Sequence, residues 1–160
     1  MKIGFIGLGN VGGKLAGSLL RNGIDLTVRD LDKAMAQPLL DAGAHWADCP
    51  KAMAQACDII ITCLPSPAAS AAVMEAEDGI LAGLSPGKIW AEMSTTDEAE
   101  VNRLGAMVRS AGGEPVDCPV SGGCHRAATG NIAIFAGCDR DTFERMLPVL
   151  KTMGRRILHT

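Results

Sequence analysis

Lys2-Ile3-Gly4-Phe5-Ile6-Gly7-Leu8-Gly9-Asn10-Val11-Gly12 is the stretch on which the reading of this chain turns. Its first half is a short apolar run. Its second half spaces three glycines as G-x-G-x-x-G, and beyond it Val11, Leu15, Ala16, Leu19 and Leu20 recur at helical spacing. A strand therefore delivers the chain into the glycines and a helix carries it away. Each glycine has its own physical reason. Gly7 permits the tight turn off the strand, Gly9 leaves room for a ligand to approach bare backbone, and Gly12 lets helix and sheet pack closely. Unpaired N–H groups at the helix start, with about half a positive charge from the aligned peptide dipoles, then face an anion such as a pyrophosphate. The spacing alone is a weak signal, because glycine-rich turns are common.

What strengthens it is an acid. The next apolar run, Asp25 to Asp30, ends in Asp30, 18 residues beyond Gly12, where a carboxylate receives the adenosine ribose hydroxyls of a bound dinucleotide. Asp30 also favours NAD over NADP. A 2′-phosphate nearby is repelled by up to about 4 kcal/mol per unit charge at an effective dielectric of ~20. A tenfold preference needs only about 1.4 kcal/mol. Arg29 argues the other way, since a guanidinium pairs well with phosphate. As the neighbour of Asp30 on an extended strand, however, its side chain points to the opposite face.

Further along, short apolar runs at 58–64, 87–91 and 114–118 alternate with helical patterns. Ile59-Ile60-Ile61 is continuously β-branched, as in a strand covered on both faces. Val101, Leu104, Val108 and Ala111 form a helix face that the capping-box pattern Thr95-x-x-Glu98 introduces, and Pro50 suits a first helical turn. The expected fold is α/β, a doubly wound, mostly parallel sheet with helices on both faces. After residue 118 the rhythm changes to a turn at Ser121-Gly122-Gly123, a helical piece ended by Gly130, and a strand at 131–136. A helix interrupted by Pro148, where a kink or early end is expected, precedes a last run at 155–158. All of 1–160 reads as one domain.

Composition excludes several functions. Charge is −3 with acids and bases interspersed, so no basic stripe suits nucleic acid. The six cysteines form no C-x-x-C pair and none stands at metal-ligand spacing from a histidine, so no metal site is expected and free thiols are. The uncharged stretch Ile59 to Met74 carries Pro65 and Pro67 and does not suit a membrane span, and no signal-peptide core is seen. A cytoplasmic protein is the expectation.

Four segments together make a resemblance. Gly4-Phe5-Ile6-Gly7-Leu8-Gly9, Ile61-Thr62-Cys63-Leu64-Pro65, Glu92-Met93-Ser94-Thr95-Thr96, and Asp117-Cys118-Pro119-Val120-Ser121-Gly122-Gly123 with Gly130-Asn131 are similar to the N-terminal domain of the β-hydroxyacid dehydrogenases. The likeness runs over essentially the whole chain. It implies a cofactor site made of Gly7, Leu8, Gly9, Asn10, Val11, Gly12, Asp30, Cys63, Leu64, Pro65 and Thr95. It also implies that Ser121, Gly122 and Gly123 hold a small substrate carboxylate, in keeping with the anion-binding concavity that successive amides form in a glycine turn. On the residues alone, Thr95 is equally a helix cap, Leu64-Pro65 a strand end, and Ser121-Gly122-Gly123 a plain turn.

Two departures stand out. Val11 replaces the family's usual Met, and Cys124-His125-Arg126 replaces small residues, leaving the substrate open. The resemblance further implies a catalytic lysine on a helix beyond Thr160 and homo-oligomers for the full-length protein. Lys2, Lys14, Lys33, Lys51, Lys88 and Lys151 do not match its setting, so no catalytic residue is expected in this chain and its own turnover should be negligible. Rival readings are the cofactor domain of an imine reductase and a non-catalytic dinucleotide-binding module.

Overall fold

A computed structural model describes all residues from Met1 to Thr160. Six strands, β1 (Lys2–Ile6), β2 (Asp25–Arg29), β3 (His45–Trp46), β4 (Ile59–Thr62), β5 (Ile89–Glu92) and β6 (Glu114–Asp117), form one sheet. Its order is β3-β2-β1-β4-β5-β6 and every pairing is parallel. Between the strands run α1 (Gly12–Arg21), α2 (Gln37–Asp41), α3 (Pro50–Ala56), α4 (Pro67–Glu75), α5 (Ile80–Gly83) and α6 (Glu98–Ser110). Pro50 and Pro67 each stand in a first helical turn, where the missing N–H costs nothing.

Strand alternation explains why both faces of the sheet are covered. Ile3, Phe5, Ile59, Ile61, Ile89 and Ala91 join the core beneath α1, whereas Ile6, Ile60 and Trp90 join a second core with Met53, Leu104 and Val108. A strand buried on both sides must be apolar at every position, which is why Ile59-Ile60-Ile61 has no polar member. Thr62, fully buried at its end, is satisfied by the Trp90 indole N–H at 3.0 Å.

The doubly wound sheet expected from the sequence is present and ends at Asp117. Three later strands, β7 (Val120–Ser121), β8 (Ile132–Ala136) and β9 (Gly154–His159), do not extend the large sheet but form their own, ordered β7-β8-β9. The chain reverses at Gly122 and Gly123, both at positive φ, and β8 returns antiparallel to β7. Helix α7 (Gly123–Ala128) ends at Gly130, as the sequence suggested. Helix α8 (Arg140–Met153) then runs through Pro148 to Met153, so the early end expected there does not occur. Ile132, Ile134, Met146 and Leu150 share the α1 core, so the small sheet is fastened to the large one by common packing. No helix is long and apolar enough to cross a membrane.

Candidate dinucleotide site

In the large sheet the strand order reverses between β1 and β4, with β2 and β3 to one side and β5 and β6 to the other. Loops leaving the carboxyl ends of β1 and β4 part in opposite directions there, which opens a crevice. The crevice is a cavity of about 990 Å³, within the range of cofactor sites. A second hollow, about 430 Å³ and lined by Leu81, Ala106, Met107, Ser110 and Ala111, offers no charged group.

The glycine turn forms the cavity floor. Gly7 takes φ +99°, and a Cβ there would lie 2.1 Å from the Cys63 carbonyl oxygen. At Gly12 a Cβ would lie 1.9 Å from the Gly7 oxygen and 3.3 Å from the Phe5 ring. Both glycines are therefore demanded by the fold itself. Gly9 is different: its φ is ordinary, and a Cβ built on it meets nothing within 4 Å. Around it the amides of Gly9, Asn10, Val11 and Gly12 donate to no acceptor in the protein, and α1 has no side-chain cap. Four consecutive donors and a helix dipole thus face the cavity.

Asp30 follows β2 directly and lines the same cavity. Its Oδ2 accepts the Leu8 N–H at 2.8 Å and its Oδ1 the Asp32 N–H at 3.0 Å. The carboxylate thus braces the glycine turn, and each oxygen keeps a lone pair for a ligand. Leu8 is 2% exposed, its side chain lies in the core and its amide is committed, so it builds the turn without facing the cavity. Arg29 lines the cavity too, but its guanidinium is engaged: its Nη1 donates to the carbonyls of Ala47 and Asp48 at 3.0 and 2.5 Å, and it lies 5.5 Å from the Trp46 ring centre. Next to Asp30 stands Leu31, 99% exposed, on the cavity rim with Met35. Sequence reasoning missed Leu31; a bare leucine directly after the acid was the available signal.

On the far side of β1 the cavity is walled by Cys63, Leu64, Pro65, Met93, Ser94 and Thr95, and its end by Val120, Gly123 and Ile132. Thr95 is not the cap of α6, as the Thr95-x-x-Glu98 pattern suggested. Asp97 is, accepting the Ala99 N–H at 2.9 Å, so the helix starts later and Thr95 is left to the cavity. Of the turn Ser121-Gly122-Gly123, only Gly123 reaches the wall. The amides of Gly122, Gly123 and Cys124 have no acceptor in the protein, and all of Ser121–Gly123 is exposed. No lysine lines the cavity.

The Cys63 thiol is pushed up to about 11, first by burial and then by the negative charge of Glu92. A group raised this far stays protonated through neutrality: at pH 8 about one thiol in a thousand is ionised, against roughly a quarter of ordinary cysteines. Alkylation of Cys63 by iodoacetamide, followed by peptide mass mapping, is therefore expected to be slow at pH 8 and to accelerate only above about pH 10. Fast labelling at pH 8 contradicts this environment.

The sequence profile of the NAD binding domain of 6-phosphogluconate dehydrogenase matches residues 2–160. The chain belongs to that family. Among curated relatives of this NAD-binding domain, the NAD-dependent L-serine dehydrogenase of Pseudomonas aeruginosa is 35% identical over 99% of the chain and 53% of its own length. A probable mitochondrial 3-hydroxyisobutyrate dehydrogenase of Dictyostelium discoideum is 34% identical over 98% and 49%. Among solved structures, Psf3 in complex with NADP+ and 2-OPP superposes with a TM-score of 0.95 at 27% identity, covering 99% of this chain and 56% of that one. The chain spans about half the length of the curated relatives it matches.

Proposed function

We propose that this NAD-binding domain is the cofactor half of a β-hydroxyacid dehydrogenase, holding NAD for hydride transfer to or from a small carboxylate. One observation carries the reading. Nothing in the protein requires residue 9 to be glycine, yet its bare backbone sits among four unpaired amides at the start of α1. A diphosphate is the ligand that uses both features. With adenosine over Asp30 on the β2 side, the nicotinamide falls on the β5 side between Cys63, Ser94 and Thr95. The free Gly123 amide at the cavity end then offers a donor to a substrate carboxylate, from a turn that a cofactor domain alone would not need.

NAD rather than NADP follows from the adenosine end. The relatives divide by name, one NAD-dependent and another solved with NADP+. In this chain Asp30 sets a negative charge beside the ribose, Leu31 brings no charge, and Arg29 is tied to two carbonyls and Trp46. Calorimetric titration with NAD+ and NADP+ tests this, and tighter NADP+ binding overturns it. Leu31→Arg is expected to shift the NADP+/NAD+ affinity ratio at least about tenfold toward NADP+, since a charge-assisted pair supplies about 1.5–3 kcal/mol. No lysine faces the nicotinamide side, so the chain by itself binds cofactor with negligible turnover. The lysine, the helical partner domain, homo-oligomers and a cytoplasmic setting belong to the full-length enzyme in this proposal.

A further inference from the structure

Beneath the β5 side of the cavity lies a charge that no role above uses. Glu92 closes β5 with its side chain fully buried. Its Oε2 accepts the Ser70 hydroxyl at 2.7 Å, and its Oε1 accepts the Ser94 amide at 2.9 Å and the Ser94 hydroxyl as well. Ser94 Oγ also accepts the Leu64 N–H at 2.7 Å, which leaves its own proton free to donate to Glu92. Every partner donates, as an acceptor-only carboxylate requires, and no lysine, arginine or histidine pairs with it. Its field reaches the cavity wall, where it helps hold the Cys63 thiol protonated. Ser94 and Cys63 both line the cavity, so the carboxylate is hydrogen-bonded to a residue of the cavity wall.

We propose that Glu92 is a specificity-determining residue for the oxidation state of the cofactor, its buried carboxylate favouring the cationic oxidised nicotinamide ring over the neutral reduced ring. This rests on the dinucleotide reading above, which puts the nicotinamide over β4 and β5. The two cofactor forms share adenine, riboses and diphosphate and differ by one positive charge on the ring. A fixed negative charge in a dry wall discriminates between them by Coulomb attraction that solvent screens little. Ser70 and Ser94 fix the carboxylate in place and shield it from water.

Glu92→Gln removes the charge while keeping the shape. The Gln carbonyl takes both Ser94 donors, and the Ser70 hydroxyl turns to accept from the Gln amide. The experiment measures Kd for NAD+ and NADH on the 160-residue chain and on E92Q. It adds a dinucleotide in which a neutral benzamide ring replaces the cationic nicotinamide ring. E92Q is expected to weaken NAD+ by about threefold to tenfold and to leave NADH within about twofold. Glu92→Asp, which keeps the charge, should hold the wild-type NAD+/NADH ratio. The wild-type chain should bind NAD+ at least about threefold more tightly than the benzamide dinucleotide. Equal losses for both cofactor forms would leave Glu92 a merely structural residue and overturn the proposal. Equal wild-type affinity for NAD+ and the benzamide compound would do the same, with no variant needing to fold. If none of the three dinucleotides binds, the cofactor reading itself falls and takes this inference with it.

Discussion

Gly9→Ala is expected to weaken NAD+ binding by about 10- to 100-fold, while stability holds or rises by up to about 1 kcal/mol. The two halves of this result have separate causes. In the free protein the new methyl meets nothing within 4 Å and the backbone φ there is ordinary, so no strain enters the folded state. The unfolded chain loses freedom, which favours folding slightly. In the complex the same methyl stands where the diphosphate approaches the amides of Gly9, Asn10, Val11 and Gly12. Overpacking of that kind costs about 1–3 kcal/mol. Thermal unfolding and calorimetry on one preparation check both halves. Unchanged affinity would mean that no ligand approaches residue 9.

Gly7→Ala should do the reverse, destabilising the domain by about 3–5 kcal/mol before any ligand is added. Two penalties add at this position. Alanine at φ +99° is strained, and its Cβ would lie 2.1 Å from the Cys63 carbonyl oxygen, which belongs to the backbone leaving β4 and cannot rotate away. Against a typical total of about 5–15 kcal/mol, that loss is large. The unfolding midpoint should fall by about 10 °C or more. A shift of less than about 2 °C would show that the turn is softer than its packing implies. Measured side by side, Gly7 and Gly9 separate the glycine that shapes the turn from the glycine that receives a ligand.

How much of this was legible before the structure depends on how local each feature is. The strand, glycine turn and helix at Lys2–Arg21 are spelled out within one stretch, and every strand of the large sheet except β3 lies where an apolar run stands in the sequence. The small sheet was half legible. Residues 131–136 and 155–158 read as strands, but which sheet they join depends on the reversal at Gly122-Gly123 and on packing against α1. Thr95 and Asp97 are both acceptable caps two residues apart, and only the observed bond from the Ala99 N–H decides between them. Asp30 was found as an acid at the right spacing. Its bond to the Leu8 amide, by which it also braces the turn, spans 22 residues and leaves no periodic trace.

The Glu92, Ser70 and Ser94 cluster was missed because two segments 22 residues apart meet in it. A signal did exist: an acid ends the otherwise apolar buried run Ile89-Trp90-Ala91, and a carboxylate buried there must find donors. The cavity also shows which assignments the chain's geometry gathers and which it does not. Gly7, Gly9, Asn10, Val11, Gly12, Asp30, Cys63, Leu64, Pro65, Thr95 and Gly123 share its wall, while Leu8, Ser121 and Gly122 do not.

The central claim is that a diphosphate rests on the bare amides opening α1. Following backbone amide resonances of the ¹⁵N-labelled chain during titration with NAD+ tests it most directly. Gly9, Asn10, Val11 and Gly12 should shift most and gain protection from exchange, with smaller shifts at Leu31 and Thr95. Saturating cofactor that leaves those four amides unmoved, or moves only residues outside the cavity, would contradict it.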